Sequence, residues 1–275
     1  MAQISVNDIT KLRKTTGAGM MDCKKALEES GGDFNKAIEI IRKKGQAVAN
    51  KRADRDASEG VVLAKVADND TLGTMIVLNC ETDFVAKNQE FIGFAEKILN
   101  IAMKEKPADL SALKELSLEG KSVSEKIIEQ VGIIGEKIEL AFYDKLEGEM
   151  VIAYIHPGNR LATLVAMNKK CDPQVGKDIA MQVAAMNPVA IDKDDVSQET
   201  LEKEREIGRE QALREGKPEN IVDKIAEGKL QKFFKESTLL NQDFTKDSKK
   251  TVKQYLQEAD KSLTVKAFRR YSLSL

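Results

Sequence analysis

Apolar residues recur at helical spacing in three short segments at the start of the chain. Thr15–Gly19 separates the first segment from the second, and Gly31-Gly32 separates the second from the third. Each segment can bury one face, and about 45 residues are enough for a compact unit of this kind. The pattern therefore predicts a three-helix domain over residues 1–45, with Gly45 ending the third helix.

The next segment, residues 46–58, is rich in alanine and in charged residues and is predicted to be a linker. Six basic residues and a single acidic one lie between Arg42 and Arg55. Two interpretations remain open for this basic stretch, defined as residues 42–55. It is a solvated linker, or it contacts an acidic partner surface or ribosomal RNA.

From Glu59 onwards apolar and polar positions alternate, which predicts β-strands. Residues 59–145 are predicted to form a first subdomain, an antiparallel sheet with helices. Its predicted elements are a hairpin turning near Asp68–Asp70, a helix that follows the second strand and extends to about Lys104, a helix from Val123 to Val131, and a strand from Lys137 to Tyr143.

The same order of elements recurs in the second half of the chain. In both halves a glycine, Gly60 or Gly148, opens a strand pair about 23 positions before the predicted start of a helix. Because this spacing is nearly the same in both halves, the sequence predicts a second, similar antiparallel-sheet-plus-helix subdomain, built from residues 146–190 and 236–275.

Residues 191–235 interrupt this subdomain with two helical segments rich in Glu, Lys and Arg. A turn at Gly216-Lys217-Pro218 predicts that they form an antiparallel helical hairpin. The first helix carries a thin apolar stripe, Leu201, Ile207 and Leu213. Two interpretations are open for this stripe, burial against a second chain or burial against the return helix, and the second is favoured. The complete prediction is an α+β fold with a three-helix domain, a core of two similar subdomains and an inserted helical hairpin.

The segment Asn79–Asn88 joins a predicted strand to the helix after it. Thr82 is suited to cap that helix, and Asp83 falls in its first turn, where a negative charge is favourable. Phe84 allows two interpretations: a hydrophobic staple packed on its own core, as is usual at such junctions, or a wedge that projects with Asp83 towards a partner. The second half lacks an Asp-Phe pair at the equivalent position, which favours the wedge.

The composition and motifs of the chain argue against several kinds of functional site. The chain has 275 residues, a net charge of −1, three widely spaced cysteines and one histidine, His156. These features predict no disulfide framework, no metal site built on several histidines and no phosphate-binding glycine loop. No basic leader or apolar run of about 18 residues is present, so a soluble cytoplasmic protein is expected. The chain is predicted to bind a partner, without enzyme activity, metal or cofactor.

Two segments resemble the elongation factor Ts family. Leu12–Leu27, LRKTTGAGMMDCKKAL, is similar to the family's N-terminal signature, and Asn79–Asn88, NCETDFVAKN, is similar to an internal segment of the family. The Ile134-Gly135-Glu136 turn, residues 154–160 and the place of the helical hairpin also agree. The resemblance implies a UBA-like N-terminal domain and a nucleotide exchange factor for the GTPase elongation factor Tu. The family's frequent C-terminal helical module is expected to be absent, since the sequence stops at Leu275.

The resemblance also implies which residues contact elongation factor Tu. The Asp83-Phe84 pair, flanked by Thr82 and Val85, is expected to insert near the GTPase's magnesium site. Six further contacts are implied, by Leu12, Met20, Met21, Ile134, His156 and Phe244. At the last of these, the family's usual Pro-Phe-Val run is Asp-Phe-Thr here. The chain itself is expected to bind no nucleotide, membrane or nucleic acid, and the sequence leaves open a dimer or a 2:2 complex.

Without the family resemblance, the residue pattern predicts ordinary structural roles for Met20, Met21 and His156. Met20 and Met21 are adjacent, so one is expected to face the core while the other stays near the surface, unless the helix start is frayed. His156, which precedes Pro157, would be a solvated or hydrogen-bonded turn residue.

Two other classes of function compete with an exchange factor. A ribosome- or RNA-associated protein would use the basic stretch, and its binding would fall steeply with salt. A thiol enzyme would need Cys80 and His156 to converge and the thiol to be activated. The near-zero net charge and the aromatic content of 5% argue against a nucleic-acid platform.

Overall fold

The computed structural model describes residues 4–273. Within that range helices and antiparallel β-sheets are mixed along the chain, which gives an α+β fold. The expectation about the C-terminal end at Leu275 concerns a residue outside the described range. No helix in the described part of the chain is long and apolar enough to cross a membrane.

Three helices open the chain: α1 (Val6–Thr16), α2 (Met20–Glu29) and α3 (Phe34–Arg52). Ser5 begins α1 with a capping box, in which its hydroxyl accepts from Asp8 N while the Asp8 carboxylate accepts from Ser5 N. The apolar faces of the three helices form one buried cluster around Leu12, Cys23 and Leu27. This cluster holds the helices together as the N-terminal helical unit.

The first half of the core contains, in chain order, β1 (Glu59–Val66), β2 (Leu72–Cys80), α4 (Asp83–Ala86), α5 (Gln89–Glu105), α6 (Leu110–Glu115), β3 (Ser117–Leu118), β4 (Lys121–Ser122), α7 (Val123–Ile134) and β5 (Glu139–Glu147). Strands β1, β2 and β5 form an antiparallel sheet with β2 at its centre. One face of this sheet packs on α5 and α7, in a core that includes Ile76, Phe91 and Ile127.

Several boundaries in this half differ from the predicted ones. The single helix predicted up to Lys104 is two helices, because the Asn88 backbone is extended and its side chain accepts from Glu90 N (2.7 Å) to begin α5 anew. Helix α7 continues beyond Val131 until Gly135 takes a left-handed φ of 80°. Strand β5 begins and ends later than predicted, at Glu139–Glu147.

The prediction that Gly45 ends the third helix is wrong, because α3 continues through it to Arg52. Gly45 lies where α3 crosses α7, opposite Gly132. A Cβ added to Gly132 would lie 2.7 Å from Gly45 Cα, so both glycines allow the two backbones to approach closely. Half of the predicted linker is therefore helical, and only residues 53–58 connect α3 to β1.

The second half of the chain contains β6 (Met150–Ile155), β7 (Leu161–Met167), α8 (Pro173–Met186), α9 (Gln198–Arg214), α10 (Glu219–Ser237), β8 (Asp243–Phe244), β9 (Asp247–Thr251), α11 (Val252–Ala259) and β10 (Val265–Ser272). Strands β6, β7 and β10 form a second antiparallel sheet with β7 at its centre. In both sheets the second strand of a hairpin is central, and a strand from later in the chain pairs with it.

The two sheets pack face to face. Their shared cluster includes Val62, Met75, Val151 and Leu164, all almost completely buried. A backbone hydrogen bond from Val62 N to Asn159 O (2.7 Å) joins β1 to the turn between β6 and β7. This contact fixes that turn beside the first sheet.

Helices α9 and α10 form the hairpin, but the expectation for its apolar stripe is only partly correct. Leu201 packs into a small cluster with Leu230 and Phe234 at the base, whereas Ile207 and Leu213 remain exposed. Between the base and the turn, the buried seam includes the small residues Gly208, Ala212 and Ala226. A Cβ added to Gly208 would lie 3.1 Å from Ala226 Cα, so the helices approach too closely for a large side chain between them.

Candidate partner-binding site

The corner that joins β2 to α4 is capped as the sequence predicts. Thr82 has an extended backbone, and its hydroxyl oxygen accepts from Val85 N (3.4 Å). Helix α4 is only four residues long, from Asp83 to Ala86. Residues 82–85 are called the Thr82 corner below.

Phe84 projects from this corner into solvent. Its side chain is 83% exposed, while Ala86 is buried and Val85 packs against the core of the first sheet. The hydrophobic-staple interpretation is therefore wrong, because a staple is defined by packing that Phe84 lacks. The side chain is available to a partner without any rearrangement of the core.

Asp83 places a negative charge next to this ring. Lys87 Nζ donates to Asp83 Oδ2 at 2.6 Å across one turn of helix, and about half of the Asp83 side chain is exposed. The hydrogen bond from Lys87 lowers the pKa of Asp83 below its ordinary value, so the carboxylate is ionised at neutral pH. The corner thus presents an acid and an aromatic ring side by side.

The structure brings the Ile134–Glu136 turn directly to the Thr82 corner. One oxygen of the Glu136 carboxylate accepts from Glu81 N (3.1 Å) and Thr82 N (3.0 Å), and the other accepts from the Thr82 hydroxyl (2.7 Å). Ile134, the last residue of α7, is half-buried against the first core. It lies two residues before Glu136, whose carboxylate accepts from Thr82.

A second carboxylate makes the reciprocal contact. Glu81 accepts from Lys137 N (2.6 Å), and Arg52 Nη1 lies 2.8 Å from both Glu81 oxygens. Burial raises the pKa of Glu81, but the hydrogen bonds from Lys137 N and Arg52 outweigh it, so the pKa is lowered overall. We call Glu81, Glu136 and Arg52 the carboxylate clasp.

The clasp was not found from the sequence, although both carboxylates lie in segments that the sequence singles out. Glu81 and Glu136 are 55 positions apart, and no local spacing indicates that they meet. Arg52 lies in the basic stretch, where other members also face carboxylates: Arg42 pairs with Glu125 at 3.4 Å, Lys44 pairs with Asp22, and Arg55 reaches Glu81 at 3.3 Å. Much of this stretch is thus occupied by contacts within the chain.

His156 lies at the turn between β6 and β7 with its side chain exposed. Its Nδ1 is 2.9 Å from the Tyr154 hydroxyl, and its backbone N–H donates to Leu161 O (2.8 Å). The turn is connected to β1, the strand paired with β2 before the Thr82 corner, by the Val62–Asn159 hydrogen bond and an ion pair between Arg160 and Glu59.

The N-terminal methionines are both at the surface. Met20 is 40% exposed and Met21 is 64% exposed, so the expectation that one of them packs into the core is wrong. The core position on this face is taken by Cys23, one turn later in α2. The helix start is nevertheless well formed, with Cys23 N donating to Gly19 O (3.0 Å).

Two residues implied as partner contacts have buried side chains. Leu12 is completely buried in the N-terminal cluster. Phe244 is 3% exposed, because its ring stacks on Tyr255 with centroids 4.1 Å apart. Both therefore support the fold, and neither side chain is presented to a partner in this structure.

The geometry does not support a thiol enzyme. Cys80 is completely buried, and its Sγ lies 3.2 Å from Thr82 O. Burial raises the pKa of this thiol to about 12, so it stays protonated at neutral pH and is a poor nucleophile. Within residues 4–273, no group of three or more His, Cys, Asp or Glu side chains is arranged to hold a metal ion.

Comparison with known proteins places these features in a family. A sequence model of a family described as Elongation factor TS matches residues 81–274. Elongation factor Ts of Porphyromonas gingivalis (strain ATCC 33277) is 54% identical over 272 residues, which cover 98% of each chain. Elongation factor Ts of Amoebophilus asiaticus is 53% identical over 97% of this chain and 98% of the relative. The protein of that name from Christiangramia forsetii is 50% identical over 99% of this chain and its own full length.

Proposed function

The chain belongs to the elongation factor Ts family and is a translation elongation factor, and from that premise we propose that it binds the GTPase elongation factor Tu and promotes exchange of GDP for GTP. The observation that carries the proposal is Phe84, a large apolar side chain left 83% exposed beside the ionised Asp83. An exposed aromatic residue on a firmly held corner suits the role of a binding hot spot. The proposed place of action is the cytoplasm.

The proposed mechanism is a difference in affinity. The protein binds nucleotide-free elongation factor Tu more tightly than the GDP complex, and by linkage it weakens GDP binding by the same factor. Insertion of Asp83 and Phe84 near the partner's magnesium and phosphate site would supply that difference. No bond is made or broken, so this role requires neither a catalytic residue nor a nucleotide site on this chain.

We propose a partner surface built from three exposed regions. The first is the Thr82 corner with Ile134, the second is His156 at its turn, and the third is the pair Met20 and Met21. Methionine suits such a surface because its side chain is flexible and polarisable. Leu12 and Phe244 are assigned a supporting role, since their side chains are buried.

We also propose a division of the chain into domains. A UBA-like domain extends to Arg52, residues 53–58 connect it to the core, and the core consists of two similar subdomains, residues 59–145 and residues 146–190 with 236–275. Residues 191–235 are an inserted hairpin. Support for the insertion comes from its two ends, which meet through hydrogen bonds from Val189 N to Ser237 O (2.8 Å) and from Leu239 N to Ala190 O (2.9 Å).

Removing the hairpin tests this division. Replacing residues 196–234 with a short Gly-Ser linker should leave the two sheets folded, because the ends that remain are already adjacent. Circular dichroism and thermal unfolding of the shortened chain would measure this. Loss of cooperative unfolding would show that the hairpin is part of the core.

The experiment that tests the function is the release of fluorescent GDP from elongation factor Tu, followed by stopped flow with and without this protein. We expect strong acceleration that saturates with protein concentration. The absence of any acceleration would refute the proposed function. RNA binding through the basic stretch would then be tested by its dependence on salt, although Arg42, Lys44, Arg52 and Arg55 already face carboxylates in this structure.

A further inference from the structure

We propose that Glu81 and Glu136 are positioning residues for the exchange site, which hold the Thr82 corner in the orientation that presents Asp83 and Phe84. This inference rests on the proposed function, because it assigns these carboxylates a part in presenting the same corner. Arg52 extends the arrangement to the N-terminal helical unit.

Glu136 orients the side chain that caps α4. Phe84 makes too little contact with the core to fix its own position, since its side chain is 83% exposed. The Thr82 hydroxyl has a single hydrogen, which it donates to Glu136 Oε1 (2.7 Å), and this leaves its lone pairs for Val85 N. Glu136 therefore sets the rotation of the hydroxyl that caps α4.

Glu136 also holds the backbone that precedes α4. Glu81 N and Thr82 N, just before α4, both donate to Glu136 Oε2. Hydrogen bonds to an ionised acceptor are stronger than neutral ones. Because the Glu81 carboxylate in turn accepts from Lys137 N (2.6 Å), the turns at residues 81–82 and 136–137 hold each other. Loss of either carboxylate would loosen both turns.

The carboxylate clasp also contacts the N-terminal helical unit. Arg52, the last residue of α3, lies 2.8 Å from both oxygens of Glu81, whose side chain is only 12% exposed. Lys137 Nζ also donates to Ala53 O (2.9 Å) and Arg55 O (3.0 Å), directly after that helix. The unit that carries Met20 and Met21 is thus joined to the corner that carries Phe84. Such preorganisation lowers the entropy lost on binding.

The test begins with two variants of Glu136 in the GDP-release assay. Glu136→Ala removes all three hydrogen bonds to the corner, and a small misplacement of a functional group can cost about 100-fold in rate. We therefore expect a fall of about 10- to 100-fold in the maximal rate. Glu136→Gln should recover most of it, because its amide oxygen can still accept from Glu81 N and Thr82 N. The control is Glu147→Ala, which removes an exposed carboxylate at the far end of β5.

A double-mutant cycle separates positioning from a general structural effect. If Glu136 acts through the corner, Glu136→Ala should cause a much smaller loss in a chain that already carries Phe84→Ala, which keeps a measurable residual rate, than in the unchanged protein. Losses that simply add would overturn the proposal. So would a maximal rate for Glu136→Ala equal to that of the unchanged protein.

Hydrogen exchange of the free protein gives a readout that is independent of the partner. Amides of residues 82–88 should exchange faster in Glu136→Ala than in the unchanged protein or in Glu147→Ala. Equal exchange rates would overturn the inference. If the unchanged protein fails to accelerate GDP release, the proposed function is refuted. The comparison of hydrogen-exchange rates then decides by itself whether Glu136 holds the corner.

Discussion

Replacing Asp83 and Phe84 together with alanine should abolish the acceleration of GDP release from elongation factor Tu. Phe84→Ala alone should weaken the coupling between this protein and GDP by about 2–4 kcal/mol, the size of an aromatic hot spot. The ring is almost fully solvated in the free protein, so its burial would be realised only in the complex. Stopped-flow release of fluorescent GDP measures the effect.

The result can be interpreted because Phe84 contributes little to the fold. Truncation of an 83% exposed side chain leaves no cavity, and surface changes of this kind alter the free energy of unfolding by about 0.5 kcal/mol or less. Val189→Ala is a matched control, since Val189 is another exposed large apolar residue, at the base of the hairpin. Its variant should release GDP like the unchanged protein. Acceleration that survives the double change would contradict the wedge and transfer the site to Ile134, His156 or the N-terminal methionines.

The sequence predicted those parts of the site that depend on local chemistry. Thr82 is a good helix cap because its side chain reaches an N–H three positions later, and that distance is fixed within the segment itself. The strand pairs could also be predicted, because the alternation of apolar and polar positions and the turn residues are local features of the sequence. The break between α4 and α5 was missed, although Asn88 is also a good cap, because the apolar pattern after it continues without interruption.

Contacts between distant segments could not be predicted from one sequence. Glycine usually weakens helices, so the sequence predicts a helix end at Gly45, whereas in the structure Gly45 allows the close approach of α3 to Gly132. The clasp depends on a meeting of Glu81 with Glu136 that only the packed sheets and helices create. The exposure of a side chain also depends on contacts between distant segments. Leu12 and Phe84 are both large apolar residues in family-like motifs, yet one is buried and the other projects.

Gly60→Ala should destabilise the protein by about 2–6 kcal/mol, from roughly 1–3 kcal/mol of backbone strain and roughly 1–3 kcal/mol of overpacking. Gly60 has a φ of 144°, and a Cβ at this position would lie 2.2 Å from Leu78 O and 2.7 Å from Asn79 Cα. Both atoms belong to the backbone of β2, so the strand itself would have to shift. Equilibrium unfolding in urea measures the loss.

Gly60→Ala should also displace two parts of the candidate site, the Thr82 corner and the His156 turn. Gly60 pairs with Asn79, three residues before Thr82, and it is flanked by Glu59, which pairs with Arg160 beside the His156 turn. Gly228→Ala is the control, because Gly228 lies on an exposed face of α10 with no atom within 4 Å of its added Cβ. That variant should be more stable by up to about 1 kcal/mol, since alanine favours helices. Equal stability of Gly60→Ala and Gly228→Ala would contradict the close approach of β1 and β2 at Gly60. The positions of the Thr82 corner and the His156 turn depend on that approach.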